Sequence, residues 1–119
     1  MKPLKKFKLI FVLTLLWIGC IKEYGFSQRF YISKYKSEAD LNVYIVNYAS
    51  QADLKVYQTR YKSEAKGNRG FWYFVPYKSI ADKKIFFVDY KSQADLMIYM
   101  VPYKSKAGWV KKNKMHLLF

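Results

Sequence analysis

Six copies of one short phrase, Tyr-x-Ser-x-Ala, recur through this chain at an almost constant spacing. Successive copies are 13, 13, 16, 13 and 13 residues apart, and they begin at Tyr35, Tyr48, Tyr61, Tyr77, Tyr90 and Tyr103. A fixed period indicates one structural unit copied along the chain, so the fold is built from repeats. The one longer interval contains an insertion at residues 67–70.

The residues between the phrases are typical of β-strands. Each unit carries an aromatic residue four places before the phrase Tyr, a large apolar residue five places before it, and mostly β-branched residues two places before it. These three columns are Tyr31, Tyr44, Tyr57, Tyr73, Phe86 and Tyr99; Phe30, Val43, Val56, Trp72, Ile85 and Ile98; and Ser33, Val46, Thr59, Val75, Val88 and Val101. β-Branched and aromatic residues favour a pleated backbone.

The repeat predicts an all-β domain of seven short strands. The predicted segments are residues 30–35, 41–48, 54–61, 71–77, 85–90, 96–103 and 109–112. Side chains alternate between the two faces of a strand. In residues 41–48 both faces carry apolar or aromatic side chains, which predicts strands enclosed on both sides.

The phrase itself predicts a turn. Ser37 is followed three residues later by Asp40, the spacing of a capping box, in which the hydroxyl and the carboxylate each accept a nearby backbone N–H. Three further copies repeat this spacing, whereas the third copy has Lys66 and the sixth has Gly108 at the acidic position. The expected structure is a single capped turn, and generic turn-forming residues are the alternative.

The first 27 residues have the organisation of a secretory signal peptide. A basic start precedes an apolar run from Leu9 to Ile21, and Gly25 and Ser27 stand at the −3 and −1 positions of a cleavage site. We therefore expect an extracytoplasmic domain over residues 28–119, with its core over 30–112 and a short basic and apolar tail over 113–119. The alternative is a membrane anchor, through lipidation of Cys20 or an uncleaved signal.

The domain that remains is strongly basic. Residues 28–119 contain 17 basic and 7 acidic residues, a net charge of about +10. Lysine recurs at the second position of the phrase and again near the C-terminus, which gives the candidate contacts for an anionic polymer: Lys36, Lys62, Lys78, Lys91, Lys104, Lys111 and Lys112. The alternative is that these turn lysines are simply solvated charges that oppose aggregation.

The sequence predicts no catalytic, metal or cofactor site, and no small-molecule substrate. Its single histidine, His116, has no cysteine or second histidine to complete a metal site. Acidic residues are few and fall mainly in turns, and the glycines are too scattered for a phosphate loop. Trp72 and Tyr73 could line a groove beside the insertion, but core packing is the preferred interpretation. The aromatic columns in general are predicted to be core.

The repeated unit resembles the 7(1) septoil knot domain family. The resemblance is carried by residues 90–96, 35–41 and 48–54 and covers about residues 30–109. It implies small bacterial proteins without an assigned function, in which repeated strands and turns wind into a torus knot of seven crossings. The periodicity alone would favour an unknotted β-solenoid or a closed sheet, because knots are almost absent from folds.

Two classes of function remain open from the sequence. The first is a secreted, non-enzymatic structural or interaction module whose partner would be an envelope component. The second is a binder of an anionic polymer such as nucleic acid, acidic polysaccharide or an anionic lipid surface, which would weaken with rising salt.

The signal-peptide pattern predicts the mass of the exported protein. Cleavage after Ser27 should leave a chain that begins at Gln28, and intact-mass spectrometry of the exported material measures this directly. A mature mass that retains Cys20 with an attached lipid would contradict the prediction.

Overall fold

The computed structural model describes residues 27–118, so the predicted signal peptide and Cys20 lie outside the described residues. The described residues form seven strands: β1 (Arg29–Ile32), β2 (Leu41–Ile45), β3 (Leu54–Gln58), β4 (Phe71–Phe74), β5 (Lys83–Phe87), β6 (Leu96–Met100) and β7 (Gly108–Trp109). Every predicted segment overlaps one strand, although β1, β5 and β7 begin one or two residues earlier than predicted. Each strand ends before the predicted limit, because the chain already bends toward the next turn. No helix within residues 27–118 is long and apolar enough to cross a membrane.

Six single turns of 3₁₀ helix connect the strands. They are turn 1 (Lys36–Glu38), turn 2 (Ala49–Gln51), turn 3 (Lys62–Glu64), turn 4 (Lys78–Ile80), turn 5 (Lys91–Gln93) and turn 6 (Lys104–Lys106). Each turn follows a phrase Tyr, and the phrase Ala closes it by donating its N–H to the first residue of the turn, as Ala39 does to Lys36 at 3.2 Å. A final 3₁₀ helix spans Lys112–Leu118.

The first six strands form a closed parallel barrel. Their order around the barrel is β4-β1-β5-β2-β6-β3, and pairing of β3 with β4 closes the ring. β7 adds to β3 in the antiparallel direction. The chain therefore passes around the barrel twice: β1, β2 and β3 form the first pass, and β4, β5 and β6 occupy the positions between them.

The strands are strongly staggered. β5 pairs with β1 through residues 83–85 and with β2 through residues 85–87, so the register advances by two residues across one strand. β2 and β6 advance in the same way. Stagger and strand tilt are linked in a barrel, so these strands run steeply around it. Parallel strands usually need a long crossover connection, but here the tilted strands carry the chain around and short turns suffice.

The core is a single column of side chains inside the barrel. Phe30, Val43, Val56, Trp72, Ile85 and Ile98 are each at most 1% exposed, and Leu41, Leu54 and Leu96 pack with them. The predicted apolar column and the core position of Trp72 are confirmed. Trp72 stacks on Phe30 with ring centroids 4.1 Å apart.

The prediction that strands are enclosed on both sides is wrong at the aromatic column, although the predicted β-branched column is buried, with no member more than 8% exposed. The aromatic column that includes Tyr44 and Tyr99 lies on the outer face, where its members are half-buried. A barrel this narrow has only one interior, so the outer face of each strand is covered only by the turns that pass over it.

The insertion at residues 67–70 links the N-terminal end of the domain to its C-terminal segment. Gly70, at φ +86°, lies so close to β3 that a Cβ atom would be 2.4 Å from the carbonyl oxygen of Lys55. The Asn68 side chain accepts a hydrogen bond from Gln28 at 2.8 Å and donates one to the Met115 carbonyl at 2.9 Å. Leu118, which the sequence placed in a tail, is 1% exposed and packs in the core.

Core and outer positions should differ sharply in their tolerance of truncation. Ile98→Ala should lower the free energy of unfolding by about 2–5 kcal/mol, because it leaves a cavity in the barrel. Tyr48, which is 66% exposed, is the control, and Tyr48→Ala should stay within about 0.5 kcal/mol of wild type. Chemical denaturation of both variants measures the difference, and equal losses would contradict this assignment of core and surface.

Candidate functional site

Each turn crosses over a strand on the outside of the barrel. Before turn 1, the N–H of Ser33 donates to the carbonyl of Ile85 at 2.7 Å, and after it the N–H of Asp40 donates to the carbonyl of Lys84 at 2.7 Å. Both hydrogen bonds end on β5 from opposite sides, so residues 34–39 arch over that strand. Because this arch is exposed except at the partly covered Ala39, it passes outside the barrel and not through its interior.

The crossings alternate between the two passes of the chain. Turn 2 arches in the same way over β6, turn 4 over β1, turn 5 over β2 and turn 6 over β3, while turn 3 contacts β4. Turns of the first pass thus cross strands of the second, and turns of the second cross strands of the first. Since each strand lies under a turn of the other pass, the chain runs alternately under and over itself, and the two passes are interlocked.

The capping-box prediction for the phrase is wrong. The six turns have no side-chain cap hydrogen bond. Instead, the phrase Asp accepts a hydrogen bond from a backbone N–H of the strand that the turn crosses. The four contacts to Oδ2 are Asp40 from Lys84 at 2.8 Å, Asp53 from Met97 at 2.8 Å, Asp82 from Arg29 at 2.9 Å and Asp95 from Asn42 at 2.9 Å.

These contacts are reciprocal, and we call each one an Asp clasp. In the Asp40 clasp, the Lys84 N–H donates to the carboxylate while the Lys84 carbonyl accepts from the Asp40 N–H. The carboxylate thereby satisfies a backbone donor at the point where the chain rejoins the sheet after the turn. The phrase acids are therefore structural, and they fasten one pass of the chain to the other.

Asp53 extends its clasp to the C-terminus. Its carboxylate is buried, and it lies 3.1 Å from the ammonium group of Lys114 and 3.3 Å from that of Lys111. The Lys111 contact is an ion pair without hydrogen-bond geometry. Burial alone would raise the pKa of Asp53, but the Met97 amide and the two ammonium groups outweigh it and hold the pKa below its ordinary value of 3.8.

Asp82 is the second clasp acid with a lowered pKa. Burial opposes the shift, and the guanidinium of Arg29 with its backbone amide produces it. The two side chains form a double contact, with Nε 3.0 Å from Oδ2 and the second nitrogen 3.0 Å from Oδ1. This pair ties the first strand to turn 4.

The turns also meet in pairs, and the predicted lysine contacts lie there. Lys78 of turn 4 is 2.7 Å from Glu38 of turn 1, Lys91 of turn 5 donates to Gln51 of turn 2 at 3.2 Å, and Lys104 of turn 6 is 3.6 Å from Glu64 of turn 3. Lys36, Lys62 and Lys112 are exposed and make no ion pair with residues 27–118. The seven candidate lysines are therefore distributed over the turns and the C-terminal segment, and three of them join neighbouring turns.

The phrase tyrosines are the surface feature that the sequence reasoning missed. Tyr35, Tyr48, Tyr61, Tyr77, Tyr90 and Tyr103 are each 64–67% exposed, although aromatic columns were predicted to be core. A signal was available, because every phrase Tyr directly precedes polar turn residues. The six rings recur at equivalent places on the outer face.

Turns 3 and 6 border a shallow groove beside the insertion. It is lined by Ser63, Glu64, Lys66, Gly67, Arg69, Phe71 and Lys104. The ammonium group of Lys104 lies 5.1 Å from the centre of the Phe71 ring, within the range of a cation–π contact. Residues 27–118 contain no group of three or more His, Cys, Asp or Glu side chains placed to hold a metal ion.

A small all-β repeat domain, closed on itself by two interlocked passes, is the class that this geometry defines. Comparison with protein families gives the family itself: the model of the 7(1) septoil knot domain matches residues 27–110, and the chain belongs to that family. The suspected resemblance is thereby confirmed. No curated protein and no solved structure matches the chain.

The buried clasp predicts a particular dependence of stability on pH. Asp53→Asn keeps an oxygen for the Met97 N–H but loses the charge, so the free energy of unfolding near pH 7 should fall by about 1.5–3 kcal/mol. Because the folded-state pKa lies below 3.8, the wild-type advantage is present above that value and is lost as the pH falls through the folded-state pKa.

Urea denaturation from about pH 7 to about pH 2 measures the effect. Asp40→Asn, at an exposed clasp whose carboxylate has no ammonium partner among the described residues, is the matched control and should cost less. A difference between wild type and Asp53→Asn that stayed constant over this range would contradict the role given to the Asp53 charge.

Proposed function

We propose that this protein is an exported, non-enzymatic interaction module that presents a rigid array of tyrosine and lysine side chains to a component of the cell envelope. The observation that carries the proposal is the set of six phrase tyrosines, each about two-thirds exposed at an equivalent position. Tyrosine rings combine a large apolar face with a polar hydroxyl, which is why they are enriched at binding surfaces.

Because the barrel interior is filled, a partner of this protein would have to bind to the outer surface of the barrel. Its interior is occupied by apolar side chains such as Trp72, Leu54 and Ile98, each without solvent exposure. A six-stranded barrel of this kind is a packed core and not a ligand cavity. The outer face is where a partner can be met.

The turns that cross the strands hold the backbone of the phrase tyrosines in fixed positions. Each phrase Tyr stands between a backbone hydrogen bond to the crossed strand and the turn that crosses it; for Tyr48 the flanking bonds are Val46 to Ile98 at 2.8 Å and Asp53 to Met97 at 2.8 Å. A ring held on a fixed backbone loses less conformational freedom when a partner binds. The repeat therefore provides several pre-organised contacts at once.

The interlocked passes suit a protein that works outside the cytoplasm. Residues 28–119 contain no cysteine, so disulfides do not stabilise this domain. Interlocked passes must separate before the chain can unfold, which slows unfolding and exposure to proteases. A folded domain that unfolds slowly is useful where no ATP-driven chaperone can refold it.

A general polyanion binder is the second candidate, and the basic net charge favours it. Three of the candidate lysines are evidence against this second candidate, because each already forms an ion pair or hydrogen bond with a neighbouring turn. They are Lys78, Lys91 and Lys104. Binding through the tyrosine array should persist at moderate salt, whereas general polyanion binding should collapse as salt rises.

Co-sedimentation with washed envelope material tests the proposal. The combined variant Tyr48→Ser, Tyr77→Ser and Tyr90→Ser should lose most of its retention at about 0.15 M salt, where surface charge interactions are screened beyond about 8 Å. The matched control replaces Ile32, Ile45 and Ile80 by Ser, since these side chains are also exposed, at 44–46%. Equal retention of both variants would contradict the proposal.

A further inference from the structure

The third pair of turns departs from the other two. Turns 1 and 4 carry clasps from Asp40 and Asp82, and turns 2 and 5 carry clasps from Asp53 and Asp95. At the same positions after turns 3 and 6 stand Lys66 and Gly108. Both carboxylates are therefore missing from a single turn pair, and one of them is replaced by a cation.

The insertion adds a second cation at the same place. Lys66 and Arg69 are exposed, both line the groove, and neither side chain makes a hydrogen bond or ion pair within residues 27–118. Lys104 contributes a third positive charge, which is 3.6 Å from Glu64. The groove thus combines three cations with one carboxylate, an excess of positive charge.

Closure of the barrel explains part of the insertion but not these two cations. Asn68 bonds Gln28, Met115 and the indole N–H of Trp109, and Gly70 allows the close approach to β3. Those contacts account for the backbone path. The side chains of Lys66 and Arg69 project from that path without a structural partner among the described residues.

We propose that this groove binds the acidic sugar units of a polysaccharide. The carboxylates of such a chain would pair with Lys66 and Arg69, for which charge-assisted contacts are the strongest polar interactions. Sugar hydroxyls would donate to Glu64 and exchange hydrogen bonds with Ser63. This inference rests on the proposed function, because it names the chemistry of the partner that the exterior meets.

Two exposed tyrosines are close in sequence to residues of the groove lining. Tyr61 precedes turn 3 and Tyr103 precedes turn 6, and they are 67% and 64% exposed. Apolar faces of sugar rings pack on aromatic faces of this kind, so we expect a sugar chain longer than the groove to contact them.

Glu64 favours an acidic sugar over a nucleic acid. The internal sugars of a DNA strand carry no free hydroxyl, so beside its phosphates Glu64 meets charge repulsion without a hydroxyl donor to offset it. A sugar chain brings many hydroxyl donors for each acidic group, and a carboxylate is a good acceptor for them. The mixed character of the lining therefore matches an acidic polysaccharide.

Charge reversal at the groove tests the inference with a matched control. The groove variant is Lys66→Glu with Arg69→Glu, and the control is Lys34→Glu with Lys36→Glu, which changes the net charge equally at exposed residues around turn 1. The probe is a short oligogalacturonate, with a dextran oligomer as the neutral comparator and single-stranded oligothymidylate as the phosphate comparator. Isothermal titration calorimetry of residues 28–119 at about 0.15 M salt measures the affinities.

Wild type should bind oligogalacturonate, leave dextran unbound and bind oligothymidylate more weakly. The groove variant should lose at least about ten-fold in affinity and the control less than about two-fold. Lys66→Gln and Arg69→Gln, which cannot introduce repulsion, should each show an intermediate loss with an unchanged thermal midpoint.

Absence of oligogalacturonate binding by wild type, equal losses in the groove and control variants, or tighter binding of oligothymidylate would each overturn the inference. The proposed function fails separately. A protein that binds oligogalacturonate through the groove but is not exported contradicts the proposed function and leaves the groove assignment intact.

Discussion

The structure depends on one interaction, the clasp between a turn of one pass and the strand of the other pass beneath it. Two backbone hydrogen bonds fix each of the four arches that carry a phrase Asp to the strand beneath, as Ser33 and Asp40 do to β5, and the Asp carboxylate adds a third. Without these bonds the exposed arches would have little to hold them, since no turn residue is buried. The clasp also sets the repeat length, because each unit must supply one tilted strand and one arch.

The clasps explain how a narrow barrel remains folded. Its core is a single column of side chains, and small cores give modest equilibrium stability. The four Asp clasps join residues 44 or 53 positions apart in sequence. Such a high contact order slows folding, and the alternating crossings mean that unfolding requires the passes to come apart. The fold therefore relies on slow unfolding as well as on burial.

Much of the fold could be predicted from the sequence because the repeat makes the alignment of units unambiguous. The inner column of Val43, Trp72 and Ile98 follows from that alignment, and so does the position of every strand. The partner of the phrase Asp could not be predicted, because Ser-x-x-Asp fits a local capping box equally well and the true acceptor contact is long-range. The same limit applies to Leu118, whose docking depends on where the barrel ends in space.

The outer face was harder to predict for a different reason. Aromatic residues usually belong to cores, and this default failed at the phrase tyrosines because the barrel has no second enclosed face. Nor does the sequence reveal that Lys66 and Arg69 share a groove with Lys104, since turns 3 and 6 meet only through the two-pass winding. The site depends on which turns become neighbours, and that follows from the winding of the chain.

Mechanical extension tests the central claim, that the two passes are interlocked, most directly. The domain is pulled by its two ends in an optical trap until it unfolds, and the extended length of the unfolded chain is measured. An interlocked chain tightens into a knot, so the extended length should fall short of the about 3.3–3.6 Å per residue that a free chain reaches. Refolding after relaxation should also be slow in a variant with Pro76→Ala and Pro102→Ala, in which isomerisation at these two prolines cannot cause the delay. Extension to the full length of a free chain would contradict the interlocked structure.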